Sequence, residues 1–166
     1  MKKITLVRHG KSDWTKQGLS DFDRPLNNRG KTDAPIMGKK LKSMNILPDL
    51  ILCSPAKRAV KTAGKIAKEI GYTKKNIVYV QTLYGGDERS ILNLIKETDD
   101  AINHLMIFGH NPDLTQLAVS LTGYQIDNIP TCGVFHMQCS FSKWQEADFN
   151  KCEFVFLEYP KKHMEE

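Results

Sequence analysis

The sequence has no long apolar run. Nowhere in its 166 residues do apolar side chains approach the roughly 20 in succession that a membrane-spanning helix needs. Behind Met1-Lys2-Lys3 the apolar stretch is only Ile4-Thr5-Leu6-Val7 before Arg8. A secretory signal needs an apolar region of roughly 7–15 residues, so a cytoplasmic protein is expected. There are four cysteines and no CxxC pair. Without clustered ligands at short spacing a zinc site is excluded, and Cys53, Cys139 and Cys152 read as buried, reduced thiols in strand-like runs. Charges are dispersed, and no basic run is interleaved with aromatics, which argues against a nucleic-acid partner. Repeats, low-complexity tracts and linkers are also missing, so residues 1–166 read as a single domain.

What is present suits one core: 40% of residues are hydrophobic and 26% charged. The net charge is +5, with a pI near 9.0, a balance that attracts phosphates or acidic proteins. The chain is organised around its opening stretch. Ile4-Thr5-Leu6-Val7 is a short run of the kind that forms a strand covered on both faces, and it ends in Arg8-His9-Gly10. In an open α/β sheet, chemistry collects beyond the carboxyl ends of the strands. His9 reads there as a nucleophile and Arg8 as an anion clamp.

Residues 10–28 are polar, with Gly18 and Pro25, and read as a long functional loop. Within it, Arg24 either serves a phosphate or ties the loop down. A helix follows over 29–44, kinked by Pro35 or starting only near Asp33. Asp49-Leu50-Ile51-Leu52-Cys53-Ser54 reads as a second buried strand. The next helix carries Ala59, Ala63, Ile66 and Ile70 as its apolar stripe and stops at Gly71. Arg58 in its first turn opposes the helix macrodipole, so it either holds a phosphate or is merely solvated.

Ile77-Val78-Tyr79-Val80 reads as a third strand, residues 83–88 as a loop, and 90–96 as a short helix. Asp87 and Glu88 are possible acids, or else they favour that helix's N-terminus. The strand His104-Leu105-Met106-Ile107-Phe108 ends in Gly109-His110-Asn111-Pro112-Asp113, which repeats the opening design. The alternation in 133–139 places His136 on a surface face. Residues 140–150 form a turn region carrying Trp144. The last strand covers 151–159, and residues 161–166 are expected to fray. Two strands without a helix between them suggest an antiparallel edge. The fold class is therefore a three-layer α/β sandwich, with a mostly parallel sheet, an antiparallel edge and helices on both faces.

Right-handed crossovers bring Arg8-His9-Gly10, Ser54-Pro55-Ala56-Lys57-Arg58 and Gly109-His110-Asn111-Pro112 to one edge of such a sheet. Two Arg and two His at one rim suit a phosphate dianion. At this point the sequence resembles the histidine phosphatase superfamily, or phosphoglycerate mutase-like fold. Arg8-His9-Gly10 resembles its signature tripeptide. Pro25-Leu26, Gly30 and Ala34 resemble the approach to its first helix. Ser54, Pro55, Arg58 and Thr62 are similar to its second motif, and Gly109-His110-Asn111-Pro112 to its last.

The resemblance implies a transiently phosphorylated His9, with Arg8, Arg58 and His110 binding the phosphoryl group. Arg24 and Asn111 are further candidate pocket residues. Asp23-Arg24-Pro25-Leu26, the brief Gly86-Asp87 loop and Thr131-Cys132-Gly133 are similar to the SixA-type phosphohistidine phosphatases. The implied activity is metal-independent, cofactor-free removal of phosphate from phosphohistidine. The expected partner is a phosphorylated protein, for example a phosphotransfer domain, or a small phosphorylated metabolite. A broad phosphomonoesterase and a non-catalytic phosphoprotein-binding module are the alternatives. The larger mutases carry a long insertion with a glutamate acid where this chain has only residues 83–89.

Overall fold

The computed structural model describes residues 1–162; residues 163–166 of the expected frayed tail lie outside the described residues. Six strands form one sheet in the order β3-β2-β4-β1-β5-β6. They are β1 (Lys3–Arg8), β2 (Leu50–Cys53), β3 (Val78–Tyr79), β4 (His104–Gly109), β5 (Val134–Cys139) and β6 (Cys152–Glu158). β1, β2, β3 and β4 run parallel, whereas β5 lies antiparallel to both β1 and β6. The helices are α1 (Asn28–Ser43), α2 (Lys57–Ile70), the single turn α3 (Thr82–Gly85), α4 (Glu88–Lys96) and α5 (Asp113–Thr122).

Strand alternation sorts the core into two layers. Ile4, Leu6, Leu105 and Ile107 face α4 and α5 through Ile91, Leu92, Leu117 and Leu121. Val7, Ile51, Met106 and Phe108 face α1 and α2 through Met37, Leu41, Ala63 and Ile66. β1 and β4 are the middle of the sheet and are covered on both faces, which is why they read as continuous apolar runs.

Several local expectations are corrected. α1 starts at Asn28 and runs through Pro35. Asn27 caps it, its side-chain oxygen accepting from Gly30 N at 2.9 Å. Proline removes one donor, but the cap and the buried face of Ala34, Met37 and Leu41 hold the helix together. Residues 83–85, the first part of the expected 83–88 loop, form a helical turn with Thr82. β3 is only two residues, both exposed at the sheet edge. No helix among the described residues is long and apolar enough to cross a membrane.

His136 is the clearest reversal, because it is buried at 5% exposure. Its strand is covered on both faces, and Thr5 Oγ1 bridges His136 Nδ1 (2.8 Å) and His104 Nε2 (2.7 Å). An alternating pattern does not reveal that its polar face is also packed when the polar groups satisfy one another.

Candidate active site

The register of β1 on β4 builds the site. Arg8 pairs with Gly109, so His9 and His110 emerge side by side at the carboxyl ends of adjacent parallel strands. Their ring centroids are 4.9 Å apart. β2 ends on the same edge, and Ser54 N donates to Phe108 O at 3.0 Å. From there α2 starts at Lys57, with Arg58 in its first turn. His9, Arg8, Arg58 and His110 line one cavity of about 660 Å³.

The loop leaving His9 is pinned from two sides. Thr62 Oγ1 accepts from Gly10 N (3.0 Å) while donating to Arg58 O (2.8 Å), which ties the strand end to α2. α1 approaches so closely that a Cβ on Gly30 would lie 2.3 Å from the Lys11 carbonyl, so only glycine fits.

His9 is 7% exposed. Its Nδ1 donates to Gly10 O at 2.7 Å, which fixes the tautomer and leaves Nε2 as the ring's acceptor. Arg58 Nε approaches that nitrogen at 3.4 Å. Burial, followed by His110, Arg58 and Arg8, pushes the His9 imidazole down to about 3. It is therefore neutral at any working pH, which a nucleophile requires.

Ser54 Oγ accepts from Ala56 N (3.2 Å) and lies 2.7 Å from His110 Nε2. Where the Ser54 hydroxyl donates to Nε2, the ring carries its N–H on His110 Nδ1. That nitrogen is buried and has no protein partner. Arg8 Nε and Arg24 Nε are likewise buried without partners. Three such groups around one cavity leave donor capacity for an anion, since buried donors are otherwise satisfied. Arg8 Nη1 is held by Ile129 O at 2.9 Å.

Sequence reasoning passed over Asp21 and Tyr84. The carboxylate of Asp21 accepts from Arg24 Nη2 (2.9 Å), Arg58 Nη2 (3.0 Å) and the Tyr84 hydroxyl (2.8 Å). Its backbone carbonyl also accepts from Arg58 Nη1 at 2.6 Å. Arg24 first, then Tyr84 and Arg58, hold this carboxyl well below the usual range. Arg24 thus ties the loop down, bonding Asp21 and Ser12, and it also lines the cavity. The only sequence signal for Asp21 was a loop too long and too polar to be idle.

Asn111 lines the cavity, but its amide is occupied. It donates to Asn128 Oδ1 and Ile129 O and accepts from Thr115 Oγ1 at 2.7 Å. Asp87 and Glu88 are not among the cavity's lining residues. Asp87 caps α4 by accepting from Ser90 N at 2.9 Å, a bond that shifts its carboxyl below its ordinary pKa and favours the carboxylate. Glu88 accepts from Ser120 Oγ at 2.5 Å. The carboxyl that lines the cavity on this side is Asp113, pushed upward by burial and then by Asp87 and Glu88.

A consequence for stability follows from the buried imidazoles. Burial lowers His9 to about 3 and His104, His110 and His136 to about 4. The unfolded chain takes up these protons near pH 6.5, whereas the folded chain refuses them. Above pH 6.5 neither state is charged at these positions. Between pH 6.5 and 4 folding loses up to about 1.4 kcal/mol per pH unit for each histidine. The urea unfolding midpoint is expected to fall steeply from pH 7 to pH 5. An unchanged midpoint would show that these histidines titrate normally.

A sheet whose carboxyl edge carries two imidazoles and two guanidiniums around a cavity is a phosphoryl-handling site. A model of the histidine phosphatase superfamily (branch 1) matches residues 4–83. An uncharacterized chloroplastic protein of Arabidopsis thaliana is 30% identical over 154 residues, covering 88% of this chain and 70% of that one. The chain belongs to the histidine phosphatase superfamily and, within it, to the SixA-type branch. The crystal structure of SixA from Agrobacterium tumefaciens matches with a TM-score of 0.83 at 25% identity, covering 96% of this chain and 98% of that one. A protein histidine phosphatase SixA complexed with tungstate matches with a TM-score of 0.81 at 18% identity, covering 95% and 97%.

Proposed function

We propose that this phosphatase removes phosphate from phosphohistidine in a protein, through a phosphorylated His9. The observation that carries the reading is the His9 ring, whose Nδ1 donates to Gly10 O and whose Nε2, the unprotonated nitrogen, accepts from Arg58 Nε in the cavity. Nε2 attacks phosphorus, a P–N bond forms to His9, and the bond to the leaving group breaks. Water then attacks the same phosphorus, returning His9 and releasing inorganic phosphate. Arg8, Arg58 and the His110 N–H offset the charge on the equatorial oxygens in both steps. Those charges come from the protein's own side chains, so activity is expected without a metal or cofactor.

The leaving group supports the choice of substrate. Imidazole leaving from phosphohistidine accepts a proton on its ring before the bond breaks, whereas an alkoxide needs a well-placed acid. The segment between β3 and α4 is one helical turn, and it presents Tyr84 to the cavity. Asp113 is the carboxyl we assign as proton donor, because it lines the cavity and burial shifts it upward, toward the acid form. A broad small-molecule phosphomonoesterase is the second reading, favoured by a cavity of about 660 Å³, the size of a small-ligand site.

The test is kcat/KM across phosphohistidine, aryl and alkyl phosphates for wild type and Asp113→Asn. General acid catalysis is worth about 10²–10⁴-fold where the leaving group is poor. Wild type is expected to cleave phosphohistidine and aryl esters readily and alkyl esters poorly. Asp113→Asn is expected to slow alkyl esters about 100-fold and phosphohistidine only a few-fold. Equal rates for alkyl esters and phosphohistidine would establish the metabolite phosphatase instead. No turnover of any ester would leave a binding module.

A further inference from the structure

The outer face of α2 carries a feature that phosphoryl transfer does not use. Lys57, Lys61, Lys65 and Lys68 lie on the side away from the buried Ala59, Ala63, Ile66 and Ile70. Lys74 adds a fifth ammonium, because its side chain lies over Gly64. A Cβ at Gly64 would lie 3.2 Å from Lys74 Cε. Among the described residues, none of these five lysines forms an ion pair. Glu69, the acidic residue of α2, packs instead against Gly38 of α1.

Such a face opposes helix stability. Lysines at i,i+4 repel, and Lys57 in the first turn faces the positive end of the macrodipole. The face begins one residue before the active-site Arg58. Two adjoining surface depressions share Lys61 and Lys65, and one continues to Lys57 and Lys16. Lys57 precedes Arg58, which reaches His9. From Lys57 to Lys68 the ridge covers about 17 Å, the length of about five extended residues.

The cavity mouth supplies an anchor. Trp14 is 76% exposed, stacked on the Arg24 guanidinium at 3.5 Å, and it lines the same cavity. An exposed, preorganised tryptophan beside a polar rim is the composition of a protein-binding hot spot.

We propose that the lysine ridge of α2, with Trp14 at the cavity mouth, docks an acidic segment of the protein whose phosphoryl group enters the cavity. This rests on the phosphoprotein reading above. The ridge is built of flexible lysines, and Tyr72 at its far end is engaged with Ile51 N and Asn76 O. Stacking platforms of the kind that hold single-stranded nucleic acid are therefore not built into it, and carboxylates fit better.

The test uses two phosphohistidine peptides that differ only in an eight-residue flank, glutamate-rich or glutamine-rich. Wild type is compared with the triple variants Lys61→Glu/Lys65→Glu/Lys68→Glu and Lys61→Gln/Lys65→Gln/Lys68→Gln. At low salt wild type is expected to prefer the glutamate peptide about tenfold in kcat/KM, with the preference shrinking as salt rises. The glutamine variant is expected to lose this preference and the glutamate variant to invert it, while aryl phosphate hydrolysis stays within twofold of wild type. The same glutamate-to-glutamine ratio in all three proteins would overturn the proposal.

If neither peptide is cleaved while the aryl phosphate is, the substrate reading fails. Docking is then decided by fluorescence anisotropy on the unphosphorylated glutamate peptide. Tighter binding by wild type than by either triple variant upholds the ridge, and equal binding overturns it. An oligodeoxynucleotide of matched charge that binds the ridge more tightly than the glutamate peptide would assign it to nucleic acid and likewise overturn the proposal.

Discussion

Replacing His9 with alanine is expected to reduce turnover by at least about 10⁴-fold, the scale at which loss of a nucleophile is felt. His9 offers an unprotonated ring nitrogen, Nε2, that accepts only a long 3.4 Å bond from Arg58 Nε. The fold is expected to survive, because the His9 side chain bonds only to the neighbouring Gly10 carbonyl and, at 3.4 Å, to Arg58 Nε, which Asp21 holds through the rest of its guanidinium. The melting temperature at neutral pH should change little, since the imidazole that is removed is uncharged there. Steady-state kinetics on an aryl phosphate and a thermal melt measure both. Residual activity above about 1% of wild type would place the nucleophile elsewhere.

Arg58→Ala is expected to cost about 10²–10³ in kcat/KM, comparable to removing a preorganised charge-stabilising donor. It also removes the oxyanion response. Tungstate at 100 times its Kd stabilises a folded protein by about 2.7 kcal/mol. For a chain of this length that corresponds to a rise of roughly 5–10 °C in Tm. The variant is expected to show little of that rise. Arg58→Lys should recover only part of it, since an ammonium cannot present a planar fork. The loop at Asp21 keeps Arg24 and Tyr84 as partners, so the loss reflects the anion site rather than collapse of the wall. An undiminished tungstate shift in Arg58→Ala would make Arg58 a structural residue.

Much of the architecture was legible because it rests on buried, strongly patterned segments. β1, β2 and β4 are covered on both faces, and their apolar runs announced them. The convergence of His9, Arg58 and His110 followed from the rule that parallel strands share a carboxyl edge. What escaped depends on tertiary contacts. Asp21 gains its place only when the loop folds back across Arg58 and Tyr84. His136 read as exposed because its partners, Thr5 and His104, lie on β1 and β4, and only pairing reveals them. Asp87 and Glu88 drew notice as acids in a short loop, but one is occupied by a helix cap and the other by Ser120. Asp113, which lines the cavity together with Asp21, sits just beyond the Gly109-His110-Asn111-Pro112 motif. The sequence offered no reason to separate it from an ordinary first-turn acid, since aspartate is favoured there by the helix macrodipole alone.

The central claim is that His9 carries the phosphoryl group on a particular nitrogen. Because Nδ1 is held by the Gly10 carbonyl, the acceptor must be Nε2. The direct measurement is to quench wild-type enzyme during turnover at alkaline pH and locate the phosphate by mass spectrometry and nitrogen-coupled phosphorus NMR. The account predicts an acid-labile, base-stable phosphate on Nε2 of His9, absent from His9→Ala. Phosphate on Nδ1, on another residue, or on no residue while turnover proceeds would contradict it.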